Sequence, residues 1–211
     1  MTEGGPKLTR REEYAQATRR AIVDAARQLF AERGYFATRV EDIAAAARVA
    51  PATVYAVTGG KQGLLRALME SWWADPIVAS TLSAIAGAED PEHLIRQVAD
   101  AGGEVRERFA DVMRVLVTTA PHDPEVAKHL QAATARYREG LARIAARLAE
   151  LNALRADIDS DHALDILWFY FGYWAWFTLH DDNGWSYADA GRWLADQVCE
   201  ALLGRRAQRP R

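Results

Sequence analysis

Residues 40–57, VEDIAAAARVAPATVYAV, decide how the rest of the chain is read. Small and branched apolar residues recur at helical spacing, pause at Arg48, and resume after Pro51. The pattern predicts two short helices joined by a tight turn. Proline is well tolerated in the first turn of the second helix, where its missing amide would be unpaired anyway. Ahead of the first helix, Thr38 and Glu41 supply a T-x-x-E capping-box pattern. Ile43, Ala44 and Ala47 are expected to face the second helix, Val49 to plug the turn, and Val54 and Val57 to close one helix onto the other. Ala44 must be small because the helices cross closely there. These are the demands of a helix-turn-helix, whose second helix is presented to the DNA major groove.

Outward from this stretch, helical periodicity continues in both directions, with no sustained alternation that would suggest strands. Helices are expected over residues 14–33, with Gly34 as the stop, and over 61–80 after the Gly59-Gly60 break. Further helices are expected near 91–101 and 104–119, separated by Gly102-Gly103, then over 125–151, from about 160 to His180, and from Ser186 to Leu203. The expectation is an all-α fold of about nine helices without internal repeats. Four segments follow: an arm over 1–13, the helix-turn-helix domain over 14–60, a larger helical domain over 61–204, and a tail over 205–211.

The run from Thr18 to Glu70 resembles the DNA-binding region of TetR-type (tetracycline-repressor-like) transcriptional regulators. The matching positions are Ala26, Leu29-Phe30 and Gly34-Tyr35 in and after the first helix, Thr38 with Ile43-Ala44, Thr53-Val54-Tyr55, and Lys61 ahead of Leu64-Leu65. They span about a quarter of the chain. The resemblance implies a double-stranded DNA operator as partner, a homodimer, a small-molecule effector, and phosphate contacts from Thr38, Tyr55 and Lys61. Arg39, beside the expected cap, adds another basic group. The chain departs from the family pattern at Arg48, where the turn usually holds glycine, and at Thr58, where an aromatic is common. A non-glycine residue in left-handed geometry costs about 1 kcal/mol or more. Within the reading helix, Thr53 has a hydroxyl for base edges, while Ala52 and Ala56 offer only methyl contact, for instance to thymine. Specificity is therefore expected to lean on Arg48, the flanking arm and DNA shape; Lys7, Arg10 and Arg11 read more readily as a mobile tail than as an arm that reaches a groove.

Composition agrees with this division. Of 211 residues, 26 are Lys or Arg and 29 Asp or Glu, for a formal net charge of −3. Residues 1–61 carry ten basic and seven acidic side chains, whereas the remainder is acidic by six charges. Such asymmetry is expected when one end meets a polyanion. Half the residues are hydrophobic and there is one cysteine, Cys199, which excludes a disordered chain or a disulfide scaffold and fits a reducing, cytoplasmic setting. The start of the chain lacks the apolar run of a signal peptide. Residues 163–179 hold one charge, Asp165, but fall short of the roughly 20 apolar residues a spanning helix needs. With mean hydropathy −0.22, a buried helix is expected, and no membrane partner. The five histidines are scattered, and neither G-x-S-x-G nor a phosphate loop is present. No metal, cofactor or catalytic residue is expected, and the chain does not read as an enzyme. The competing expectation is a helical small-molecule-binding or protein-interaction dimer that does not read DNA.

Residues 168–177, WFYFGYWAWF, hold eight aromatics in ten positions. A helix apolar all round must be covered all round. One stripe, Asp165, Trp168, Gly172, Ala175 and Leu179, and another on the last helix, Tyr187, Gly191, Leu194, Ala195, Val198 and Leu202, are expected to build a four-helix dimer interface. The family's usual dimer bundle uses these two helices. The remaining faces, with Tyr170, Trp174 and Phe177, are expected to meet Phe109, Met113, Tyr137, Trp72 and Trp73 around a flat or cationic effector. Asp165 and Asp111 are expected to be solvent-exposed carboxylates, the alternative being that one of them neutralises a cation there.

Overall fold

The computed structural model of the protein describes residues 9–204. The helices are α1 (Arg10–Arg33), α2 (Val40–Ala46), α3 (Pro51–Thr58), α4 (Lys61–Trp73), α5 (Pro76–Ile85), α6 (Pro91–Thr119), α7 (Pro124–Glu150), α8 (Ser160–Phe171), α9 (Tyr173–Phe177) and α10 (Tyr187–Leu202). A 3-10 turn, Ala120–His122, precedes α7, and a π turn, Thr178–Asp182, follows α9. The architecture is all α; the β-type pairing among the described residues is one isolated bridge, Leu154 with Leu203. Among the described residues, taking α8 and α9 as one helix interrupted at Gly172 gives the expected nine, but several breaks fall elsewhere.

The first helix starts earlier than expected. Thr9 and Glu12 form a capping box, the Thr9 amide donating to the Glu12 carboxylate at 2.7 Å and the Glu12 amide to the Thr9 hydroxyl at 3.3 Å. Arg10 and Arg11 are therefore helical rather than part of an arm; Lys7 and the tail 205–211 lie outside the described residues. The helix expected over 61–80 is two, because Pro76 cannot continue one and Asp75 caps the next through the Ile77 amide at 3.0 Å. Conversely, Gly102-Gly103 leaves α6 unbroken. Glycine inside a helix costs only about 1 kcal/mol relative to alanine, and here both glycines sit at close approaches: a Cβ on Gly102 would lie 3.2 Å from the Trp176 indole, and one on Gly103 3.3 Å from the Tyr187 carbonyl.

The chain divides into two compact units. One runs to Ser71 and is rejoined by Asp111–Leu130; the other comprises Trp72–Ala110 and the chain from Gln131 onward. The start of α4 clusters with the helix-turn-helix in the first unit. The first unit buries Ile22, Phe30, Ile43, Val54, Leu64 and Leu65. It also ties Arg27 to Asp111 by two hydrogen bonds of 2.6 and 2.8 Å, so Asp111 already has a cation. The second unit is built around Trp176, Phe171, Leu94, Ile95 and Leu141, all essentially without exposure.

Candidate nucleic-acid interface and effector site

The turn between α2 and α3 shows why residue 48 matters. The Val49 amide donates to the Ala44 carbonyl at 2.9 Å and the Arg48 amide to the Ala45 carbonyl at 3.1 Å. This is a Schellman motif, which places Arg48 at the position that favours left-handed backbone. Its φ is 57°. The strain expected from the sequence is present, and the Arg48 side chain is exposed. Arg48→Gly should therefore stabilise the protein against urea by about 0.5–1 kcal/mol while weakening its hold on a selected duplex. Stabilisation without loss of DNA affinity would leave Arg48 no part in DNA binding.

Ile43, Ala44 and Val54 are fully buried between the helices, while Ala47, Val49 and Val57 are partly exposed. The outward face carries Ala52, Tyr55 and Ala56 exposed and Thr53 half-buried. Tyr55 is 55% exposed, so it is not a core residue; a Cβ on Gly60 would lie 3.2 Å from its ring, which only glycine at φ 89° permits. Thr58 turns inward instead, its buried hydroxyl donating to the Val54 carbonyl at 2.8 Å. A residue not anticipated, Arg19 on α1, donates to the Val57 carbonyl at 2.8 Å and adds a cation to this end of α3. Its signal in the sequence was only one more arginine in a basic helix.

The expected Thr38–Glu41 capping box does not form. Thr38 is buried, its hydroxyl shared between the Leu29 carbonyl at 3.1 Å and the Gly34 carbonyl at 2.8 Å. The cap lies one residue later: the Asp42 carboxylate accepts from the Arg39 amide at 3.2 Å, and the Arg39 side chain stays exposed. A threonine just after a helix that stops at Gly34 can donate back to the end of that helix, and the Thr38 hydroxyl does so here. The Thr38 hydroxyl thus pins α1 to the start of α2. Lys61, opening α4, rests its ammonium 4.3 Å from the centre of the Tyr35 ring. Burial lowers its pKa below the usual lysine range, opposed by the charge of Asp123. A phosphate arriving here would meet a cation already partly stripped of water.

In the second unit the expected effector residues do not share one lining. Trp72 stacks on Trp73 at 4.8 Å, and Tyr137, Trp168 and Tyr173 form a three-ring cluster with centroids 5.6–6.1 Å apart. Trp72 joins it through Tyr173 at 6.3 Å. Phe109 and Phe177 are buried, whereas Met113 belongs to the first unit. Trp174 is 65% exposed and, with Tyr170 and Phe169, borders an open apolar depression of about 680 Å³. Trp168 is thus shared between the ring cluster and the rim of this depression. Asp165 is held at 2.8 Å by Arg138 at the same rim.

The expected dimer stripe is corrected in the same way. Gly172, Gly191, Leu194, Ala195, Val198 and Leu202 are buried within a single chain. A Cβ on Gly191 would lie 3.2 Å from the Trp176 ring and 3.3 Å from the Ala99 carbonyl. That stripe packs inward, and the uncovered apolar groups are Phe169 at 72%, Trp174, and Trp193 at 41% exposure. Ala175, half-buried, lies among them. A helical wheel groups residues by angle but assigns no angle to the interior when both stripes are apolar.

Comparison with known proteins fits this geometry. Residues 22–68, which hold α2, α3 and their flanks, match the family described as bacterial regulatory proteins, tetR family. The chain is 34% identical over 146 residues to an HTH-type transcriptional repressor of Mycobacterium tuberculosis, covering 69% of this chain and 71% of that one. Among solved structures, it resembles the complex of SmeT with triclosan, with TM-score 0.72, 20% identity, and 92% and 96% of the two chains covered. A transcriptional regulator from Saccharomonospora viridis in complex with choline matches equally well, with TM-score 0.72, 20% identity, and 90% and 100% covered. Among the described residues no helix is long and apolar enough to cross a membrane. With a strained helix-turn-helix turn, a basic outer rim, and a relative matched across most of its length, this chain belongs to the TetR family of DNA-binding transcriptional regulators.

Proposed function

We propose that this protein is a ligand-responsive repressor that binds a palindromic operator as a homodimer and is released by a small aromatic or hydrophobic effector. The observation that carries the reading is that Arg39, Arg48, Thr53 and Tyr55 are exposed or half-buried on one two-helix module, with Lys61 opening the next helix. Residues 14–60 read DNA in this proposal, and residues 61–204 hold the effector and the dimer contact. The Mycobacterium tuberculosis relative is named a repressor, which supports the sign of regulation. Phe169, Trp174 and Trp193, with Trp168 and Ala175, supply the apolar face for self-association. A twofold pair brings two reading heads to successive major grooves, roughly 34–36 Å apart. Cytoplasmic location follows from the DNA target.

The roles divide between phosphate and base. Lys61→Ala should weaken binding to all duplexes alike, by about tenfold, whereas Thr53→Ala should change preference at one base pair of each half-site. Selection from random duplexes, followed by titration between 50 and 200 mM salt, tests both. Affinity should fall steeply with salt as counterions are released. No enriched sequence, or affinity indifferent to salt, would favour a helical binding protein that leaves DNA alone.

A further inference from the structure

The second unit buries a cation with no anion beside it among the described residues. Arg106 on α6 is 2% exposed, and its acceptors are all uncharged. Its Nη1 donates to the Gly102 carbonyl at 3.0 Å. Its Nη2 donates to the Phe171 carbonyl at 3.0 Å, and at longer range to the Gly172 carbonyl at 3.4 Å and the Tyr137 hydroxyl at 3.5 Å. The Nε–H, also buried, has no acceptor. The guanidinium lies 4.3 Å from the centre of the Trp176 ring, and the buried indole N–H of Trp176 lacks an acceptor too. Arginine and tryptophan side chains only donate, so the two cannot satisfy each other. Buried polar groups are nearly always paired, and removing a charge from water without a counter-charge is costly. Two orphan donors around one unneutralised charge suit an acceptor that carries negative charge.

The surroundings define the rest of that acceptor. The Tyr137 hydroxyl, which reaches the Arg106 guanidinium, donates at 2.6 Å to the Phe171 carbonyl, and its ring belongs to the cluster with Trp168 and Tyr173. The Phe171 and Gly172 carbonyls that now serve Arg106 lie where the helix breaks at Gly172, at which any Cβ would clash with the Trp168 carbonyl. A carboxylate forms charge-assisted bonds about twice as strong as those to neutral carbonyls, so it would displace them. We infer that the effector site of this unit takes an aryl carboxylate, its anionic group paired with Arg106 and accepting from Trp176, its ring beside Tyr137. The inference rests on the effector reading above and narrows it: the rings alone would suit a cation, but the fixed guanidinium repels one.

Thermal melts of the full chain at constant ionic strength test this with sodium benzoate, benzamide and benzyltrimethylammonium chloride. Benzoate at roughly 20 mM should raise Tm by about 3 °C or more, benzamide by less than about a third of that, and the ammonium salt not at all. Arg106→Gln should abolish the benzoate shift, while Gln at exposed Arg143 preserves it. Should Arg106→Gln fail to fold, Trp176→Phe keeps the ring and removes the indole N–H; it should weaken benzoate severalfold. Equal shifts with benzamide or the cation, a shift that survives both variants, or no shift at all would overturn the inference. Duplex retention by the ligand-free protein, measured on the same preparation, separates the two readings. DNA binding without a benzoate shift removes only the anion site, whereas a benzoate shift without DNA binding removes the regulatory role and leaves the site.

Discussion

Gly63→Ala is expected to collapse the DNA-binding unit. A Cβ on Gly63 would lie 1.5 Å from the Thr58 carbonyl oxygen and 2.7 Å from its carbonyl carbon. Both obstructing atoms are backbone, so no rotamer relieves the overlap. Thr58 ends α3, and its side chain is itself anchored to the Val54 carbonyl. Either the end of the reading helix or the start of α4, which carries Lys61, must move by more than an ångström. The expected loss exceeds about 3 kcal/mol in urea unfolding, with DNA affinity reduced at least about a hundredfold. Gly87→Ala is the matched control, since a Cβ there meets nothing within 4 Å. A Gly63→Ala protein that unfolds and binds as its parent does would show that α3 and α4 do not approach so closely.

Trp176→Ala should cost about 3–5 kcal/mol, the range for emptying a buried large aromatic site. Trp176 has no exposure, and Gly102, Gly103 and Gly191 close around its ring. Three glycines holding one indole leave a rigid cavity, because backbone does not collapse into a void as side chains do. Trp174→Ala, two residues away, removes the same side chain from an open surface. It should leave chemical unfolding of the monomer within about 0.5 kcal/mol of the parent, while weakening self-association in sedimentation experiments. Similar unfolding losses from both substitutions would mean that the two rings are not so differently covered.

These two tryptophans also mark where the sequence stops being informative. Ile43, Ala44 and Val54 were legible as the helix-turn-helix core because amphipathic spacing on two short helices leaves few ways to bury them. Arg48 in left-handed backbone was legible because a Schellman turn demands that geometry whatever residue fills it. The cap of α2 lies one residue later than the T-x-x-E pattern implies, since the Thr38 hydroxyl turns back to the end of α1 and the Asp42 carboxylate takes the Arg39 amide. Gly102-Gly103 looked like a break and is a packing notch instead. A glycine pair means either, and the choice depends on the indole that arrives from 73 residues later in the chain.

By itself, the sequence determined an all-helical chain, a reading module between residues 40 and 57, and the family to which both belong. Those features rest on local rules of period, capping and turn chemistry, which act over a few residues. Tertiary structure alone decided which apolar stripe of α8–α10 faces inward, where the aromatic helix breaks, and that Arg106 is buried without a counter-ion. A segment hydrophobic on every side has no preferred direction until its neighbours are in place, and a charge becomes costly only once water has been excluded from around it.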